Sequence, residues 1–311
     1  MTQASAPGKC ILFGEHAVVY GRPAIAIPLP GLRATARVSD LPSSPPARVR
    51  IEAPDIRVNG WIEEVPFNDP LRRVIELTLQ ETGPPPNGLH VDVRSKIPIA
   101  SGLGSGAAVS VALVRAISRH LGAELTNERV SSLAFEVEKL HHGTPSGIDN
   151  TVVTYERAVY YAQESGPEPF QFSKALPLVI GDTGVGSPTR EVVGLVRRAW
   201  QQEPEALESI FDQIGSLVGT AREALLSGRI RILGELMDRN QTLLEALDVS
   251  AEMLRALISA AKAAGALGAK LSGAGRGGIV IALPPGPQSG PIEAALRDAG
   301  AVWTYTAEVG A

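Results

Sequence analysis

The longest apolar stretch, Val109-Ser110-Val111-Ala112-Leu113-Val114-Arg115-Ala116-Ile117, runs on to Leu121. It is too long for a buried strand and opens on small residues, so it predicts a helix buried on most of its faces. Other stretches are amphipathic. Leu71, Val74, Ile75 and Leu79 share one face of a helix over residues 71–82, which Gly83-Pro84-Pro85-Pro86 stops. Val130, Leu133, Ala134, Val137 and Leu140 do the same over residues 127–140, with Glu138 at the edge of the stripe. Residues 205–263 read as helical, with breaks near Ser227-Gly228 and Val249-Ser250.

Strand patterns fill the gaps. Residues 4–30 give a strand, a Gly14-Glu15-His16 turn, a second apolar segment and a short strand after Gly21-Arg22-Pro23. Residues 32–38 and 49–53 read as strands of a hairpin or meander around a Pro/Ser-rich surface loop at 41–47. Residues 89–93 alternate like a half-exposed strand. Residues 151–155, 158–161 and 176–180 also read as strands, with Gly166-Pro167-Glu168-Pro169 as a break. Two more strands flank the glycines of residues 273–278.

At 311 residues and 44% hydrophobic, the chain can bury a core large enough for two domains, which we divide as 1–175 and 176–311. A net charge of −4 without a basic stripe argues against nucleic acid or an anionic membrane as partner. The single cysteine, Cys10, excludes an internal disulfide framework and sits in an apolar stretch, where it reads as a small buried hydrophobe. The N-terminus lacks a signal-peptide layout and no apolar run is long enough for a bilayer, so a cytoplasmic protein is expected.

The candidate chemistry begins at Pro98-Ile99-Ala100-Ser101-Gly102-Leu103-Gly104-Ser105-Gly106-Ala107-Ala108. A glycine turn feeding a helix start offers unpaired N–H groups and the positive end of the helix dipole, which suits phosphate. A tight turn that packs the helix against a sheet fits the same residues. No Gly-Lys-Ser/Thr follows, so this is not a Walker A loop. Lys9, Glu15 and His16 are polar positions wedged between apolar segments. One alone would be a solvated turn residue, whereas three around one short strand point to a site. Asp149 closes a Gly/Pro-stiffened loop soon after Glu138, and a kinase needs one acid for metal and another at the nucleophile. Gly273-Ala274-Gly275-Arg276-Gly277-Gly278 contains a dinucleotide-type glycine spacing, but a strand rather than a helix follows, which rules out a Rossmann domain.

Four segments together resemble the GHMP kinase superfamily, most closely its mevalonate kinase branch. They are Gly14-Glu15-His16-Ala17-Val18-Val19-Tyr20-Gly21, Gly102-Leu103-Gly104-Ser105 with Ala107-Ala108, residues 142–150 (His-Gly-Thr-Pro-Ser-Gly-Ile-Asp-Asn), and Lys270-Leu271-Ser272-Gly273-Ala274-Gly275. Asn240-Gln241-Thr242-Leu243-Leu244 also fits. The resemblance implies an α+β fold of two domains, a ribosomal-protein-S5-like N-terminal half and a ferredoxin-like C-terminal half, with the active site in the cleft between them.

It also implies ATP-dependent phosphorylation of the primary hydroxyl of mevalonate, in isoprenoid biosynthesis. Gly102, Leu103, Gly104, Ser105, Gly106 and Ala107 would cradle ATP, and Glu138 with Ser105 would hold Mg²⁺. Asp149 would be the base and Lys9 its charge partner. His16, Glu15, Thr189 and Gly275 would bind the acceptor. The small-molecule partners are then ATP and mevalonate, and a homodimer is open to such a chain. Another acceptor of the superfamily, such as phosphomevalonate or a sugar, is the alternative. A non-catalytic relative would have lost its acid or lysine, and this chain keeps Lys9, Glu138 and Asp149. Two positions depart from the family pattern: Gly106 replaces a second serine, and Arg276 replaces a glycine. Arg276 either reaches the phosphates or substrate, or faces solvent.

Overall fold

The computed structural model describes residues 1–41, 48–142, 146–187 and 189–310. In chain order the strands are β1 (Thr2–Phe13), β2 (Ala24–Leu41), β3 (Val49–Ala53), β4 (Val58–Trp61), β5 (Gly88–Ser95), β6 (Ala158–Ala162), β7 (Gly166–Phe170), β8 (Leu176–Asp182), β9 (Gly268–Ser272), β10 (Ile279–Leu283) and β11 (Trp303–Val309). The helices are α1 (Pro70–Thr82), α2 (Ser105–His120), α3 (Asn127–His142), α4 (Ile148–Tyr155), α5 (Thr189–Gln202), α6 (Pro204–Ser227), α7 (Ile230–Ala246), α8 (Glu252–Ala263) and α9 (Gly290–Asp298). The chain divides into two compact units, one within residues 1–8, 31–98 and 104–156, the other within 9–30, 99–103 and 157–311. Among the described residues, no helix is long and apolar enough to cross a membrane.

In the first unit the strand order is β4-β3-β5-β2. The pattern of residues 32–38 and 49–53 suggests a hairpin or meander, but β5 lies between them, antiparallel to β2 and parallel to β3. Leu89, Val91 and Val93 of β5 are buried, as suits an interior strand with a neighbour on each side. Helix α1 starts as its sequence dictates: Asp69 accepts the Leu71 N–H at 2.8 Å and Pro70 holds the first position.

Helix α2 packs against α1, α3, α4 and β5, and its residues from Val111 to Val114 are all buried. Burial of each valine or leucine contributes about 1.5–3 kcal/mol, so Leu113→Ala would cost about 2–5 kcal/mol through the cavity it leaves. Leu140, expected on the buried stripe of α3, is exposed instead. Residues 151–155 form the body of α4 rather than a strand. Thr151 donates to the Gly147 carbonyl one turn back at 2.7 Å, and packing against α2 and α3 overrides the β-branched composition.

In the second unit the strands run β11-β8-β10-β9, all antiparallel, with Ile279 opposite both Ser272 and Asp182. Strands β9 and β10 are buried throughout, so both read as short unbroken runs rather than alternating ones. Helix α8 packs on β9 and β10, α9 on β8 and β11, and α7 on β9. The breaks expected in 205–263 fall at Gly228, the left-handed C-cap of α6, and at the turn between α7 and α8. Residues 24–26 of β2 pair with β6, which pairs with β7. The Gly166-Pro167-Glu168-Pro169 segment is therefore a strand and not a break. It is the last strand of its sheet, and the two prolines share one parity, so their missing N–H groups fall on the open edge.

Candidate active site

The glycine turn is built from left-handed backbone: Ala100 at φ 58°, Gly102 at 82° and Gly104 at 71°, the last capping α2. The first intrahelical bond of α2 runs from the Ala108 N–H to the Gly104 carbonyl. The N–H groups of Ser105, Gly106 and Ala107 precede it and point out of the helix end, and no acidic residue stands in the first turn. Gly102 and Gly106 are exposed, whereas Leu103 is buried and its carbonyl accepts the Lys9 N–H at 2.9 Å. Donors arranged in this way suit an anion.

The two acids lie on neighbouring helices of the first unit. Glu138 is buried on α3, and Asp149 is half-buried in the first turn of α4. Gly147, at φ 81°, starts α4. The Asn150 amide donates to the Ser131 hydroxyl at 2.7 Å and to its carbonyl at 3.2 Å, which fixes α4 on α3 and so aims Asp149. Residues 143–145 of the same sequence segment lie outside the described residues.

In the second unit, Lys9, Glu15 and His16 are all buried. His16 has φ 60° and ψ −50°, and the Glu15 carbonyl accepts the Ala17 N–H at 2.7 Å. This is a γ-turn of the rare positive-φ kind, a strain of about 1–3 kcal/mol that the surroundings must outweigh. They do so from several sides. His16 Nε2 lies 2.8 Å from the Ala274 carbonyl. A carbonyl only accepts, so Nε2 carries the hydrogen. Burial lowers the ring's pKa against the opposing effect of that bond, which leaves Nδ1 as an acceptor. Glu15 is gripped by the Lys270 ammonium at Oε1 and by the Asn240 amide at Oε2, the latter at 3.1 Å. Lys270 is wholly buried; burial lowers its pKa, and the Glu15 charge partly restores it.

The Ser272 hydroxyl brackets β1, accepting the Ile11 N–H at 3.1 Å and donating to the Ile11 carbonyl at 2.7 Å. Beyond it, Gly275 passes so close to Val249 that a Cβ would stand 2.2 Å from that carbonyl oxygen, and Ser187 donates to the Gly275 carbonyl at 2.9 Å. Thr189 is exposed at the start of α5. Tyr20, at the end of the first motif, stacks on Phe211 of α6 with centroids 4.1 Å apart. Arg276 donates to the Asp248 carboxylate at 2.6 Å and to the Asp248 carbonyl at 3.3 Å.

The structure thus gathers Glu15, His16 and Gly275 around one strand and loop, together with partners to which the sequence reading assigned no role: Lys270, Asn240, Ser272 and Ser187. A lysine inside a strand of otherwise buried residues was the signal available for Lys270. It also places Glu15 in a buried ion pair, with both carboxylate oxygens engaged by protein.

The family model of the GHMP kinases N terminal domain matches residues 69–157, and that of the GHMP kinases C terminal matches residues 221–302. The mevalonate kinase of Pyrococcus horikoshii is 42% identical over 96% of this chain and 93% of its own length. The chain belongs to the GHMP kinases, in their mevalonate kinase branch. A second mevalonate kinase, from Thermococcus gammatolerans, is 43% identical over the same shares. The crystal structure of L. major mevalonate kinase in complex with R-mevalonate is 34% identical, with a TM-score of 0.86 over 99% of this chain and 96% of that one. The Methanococcus jannaschii mevalonate kinase follows at 26% identity and a TM-score of 0.84, over 99% of this chain and 98% of that one. The mixed α and β architecture is that of these kinases.

Proposed function

We propose that the chain transfers the γ-phosphoryl group of ATP to the primary hydroxyl of mevalonate, giving 5-phosphomevalonate and ADP. The observation that carries this reading is likeness to mevalonate kinases along nearly the whole chain, including one solved with R-mevalonate. The site residues then take these roles. The N–H groups at the start of α2, with Gly102, Leu103, Gly104, Gly106 and Ala107 around them, hold the ATP phosphates. Asp149 accepts the proton of the acceptor hydroxyl as its oxygen bonds to the γ-phosphorus and the bond to the ADP oxygen breaks. The Lys9 ammonium offsets charge on the transferring group. His16 Nδ1 accepts a hydrogen bond from the acceptor, with Thr189 and Gly275 beside it and Glu15 setting the turn.

Among the described residues, no group of three or more His, Cys, Asp or Glu side chains gathers to hold a metal. Glu138 and Ser105 offer hard oxygen donors, which suits Mg²⁺, an ion that takes its other ligands from phosphate and water. These two residues would hold it where it offsets phosphate charge. The reading keeps an N-terminal domain over 1–175 and a C-terminal domain over 176–311, supported by family matches that fall on either side of that division.

ADP release from Mg–ATP tests the function, with mevalonate, phosphomevalonate and galactose as rival acceptors. Mevalonate-dependent turnover should fall about a hundredfold to ten-thousandfold in Asp149→Asn. A strong preference for another acceptor would move the function while leaving the fold and site in place.

A further inference from the structure

We propose that Lys270 is a positioning residue for acceptor binding: through Glu15 it holds the γ-turn at His16, and with it the imidazole, in the conformation that meets the acceptor. The proposal rests on the reading of His16 as an acceptor ligand.

Lys270 stands on a rigid base. Strand β9 pairs with β10 on one side, and on the other its N–H groups are taken by α7, Ala269 by Asp238 Oδ1 at 3.0 Å and Leu271 by Gln241 Oε1 at 3.0 Å. The ammonium is aimed by a second bond, to the Leu271 carbonyl at 2.6 Å. From that base it meets one oxygen of Glu15 while Asn240 meets the other. The carboxylate therefore cannot rotate without breaking one of the two bonds. His16, the next residue, is tied to the Ala274 carbonyl on the loop that leaves the same strand. The strained turn is thus fastened at two consecutive side chains to one strand and its loop.

An ion pair is a poor choice if stability is all that it serves. Two buried charges lose their hydration, and an apolar pair of similar volume is often as stable. What the charged pair adds is direction, because both bonds to Glu15 fix where its backbone sits. Without Lys270 the buried carboxylate loses the ammonium that grips its Oε1, which favours uptake of a proton or a swing away from Asn240. Either change releases the neighbouring turn.

The test compares wild type, Lys270→Met and the double variant Glu15→Leu/Lys270→Met, which removes the uncompensated charge. Thermal midpoints, the two Michaelis constants and ¹⁵N shifts of the His16 ring are measured on each, the ring being assigned with His16→Gln. Lys270→Met should lower the midpoint and raise the mevalonate KM about tenfold, the scale of one released turn, with a smaller change for ATP. The double variant should recover the midpoint and keep the raised mevalonate KM. A mevalonate KM that recovers along with the midpoint, or that never moves, overturns the proposal. If wild type does not phosphorylate mevalonate, the acceptor reading has failed, and the ring decides separately. One Nε2–H tautomer in wild type and averaged shifts in the double variant support positioning by Lys270, and unchanged shifts refute it.

Discussion

Gly234 of α7 and Gly268 of β9 meet backbone to backbone: a Cβ on Gly268 would lie 2.2 Å from the Gly234 carbonyl oxygen. From the other side, a Cβ on Gly234 would lie 2.7 Å from the Leu267 carbonyl. This approach lets Asp238 and Gln241, one and two turns further along α7, reach the N–H groups of β9. Gly268→Ala should therefore destabilise by about 3 kcal/mol, at the upper end of overpacking effects. Gly290→Ala has open space and should stay within about 0.5 kcal/mol of wild type. Urea unfolding of both variants checks the contrast.

His16 supplies a pH signature. Burial lowers its pKa below the usual 6.5, so between the two values the unfolded chain binds more protons than the folded one. Stability should then rise with pH across that window, and fall as the pH drops from about 6.5 towards the folded value. His16→Gln should flatten this slope below pH 6.5 in denaturant titrations at stepped pH. An equal slope in both proteins would assign the acid sensitivity to other groups.

Cys10 should be inert. It is fully buried, and burial pushes its thiol up to about 12 against the charges of Lys9 and Lys270. At pH 8 a disulfide reagent should leave the native protein unmodified and titrate one thiol in denaturant. The same shift stabilises the fold below the unfolded value of 9.0, and that contribution is lost as the pH rises towards about 12.

Arg276→Gly separates two roles for the one charged side chain in the third-motif glycine loop. Its guanidinium is directed to Asp248, an exposed carboxylate, and its own backbone is left-handed at φ 55°. The variant loses an exposed ion pair and gains a residue suited to that φ, so stability should change by less than about 1 kcal/mol. Both Michaelis constants should stay at wild-type values. A rise in either would return Arg276 to the ligand.

The helices were legible wherever apolar residues recurred at helical spacing and packing agreed, as in residues 71–82 and the three segments within 205–263. Residues 151–155 misled because Thr151-Val152-Val153-Thr154 is strand-like in composition, and only the neighbours α2 and α3 decide the matter. Residues 166–170 misled because proline marks a break everywhere except at a sheet edge, and edges belong to topology. In the site, Lys9, Glu15, His16 and the glycine turns stood out as polar or flexible positions in apolar surroundings. The grip of Lys270 and Asn240 on Glu15 did not, since the partners are distant in the chain and no local pattern joins them.

That distance has a consequence for the chain as it is made. Glu15 and Lys270 are 255 residues apart, which at about 5–20 residues per second is roughly 13–50 s of synthesis. Every segment of the first unit has been made by residue 156, yet residues 9–30, threaded between two of those segments, belong to the unit that is finished last. A nascent chain therefore carries the strand around Ile25 without its partner β6 until Ala158–Ala162 is made, and Ile11, next to Cys10, without its bonds to Ser272 until that residue is made. A chain stopped between residues 157 and 269 contains the whole first unit but lacks Lys270, so premature termination there leaves Glu15 without the ammonium that grips its Oε1.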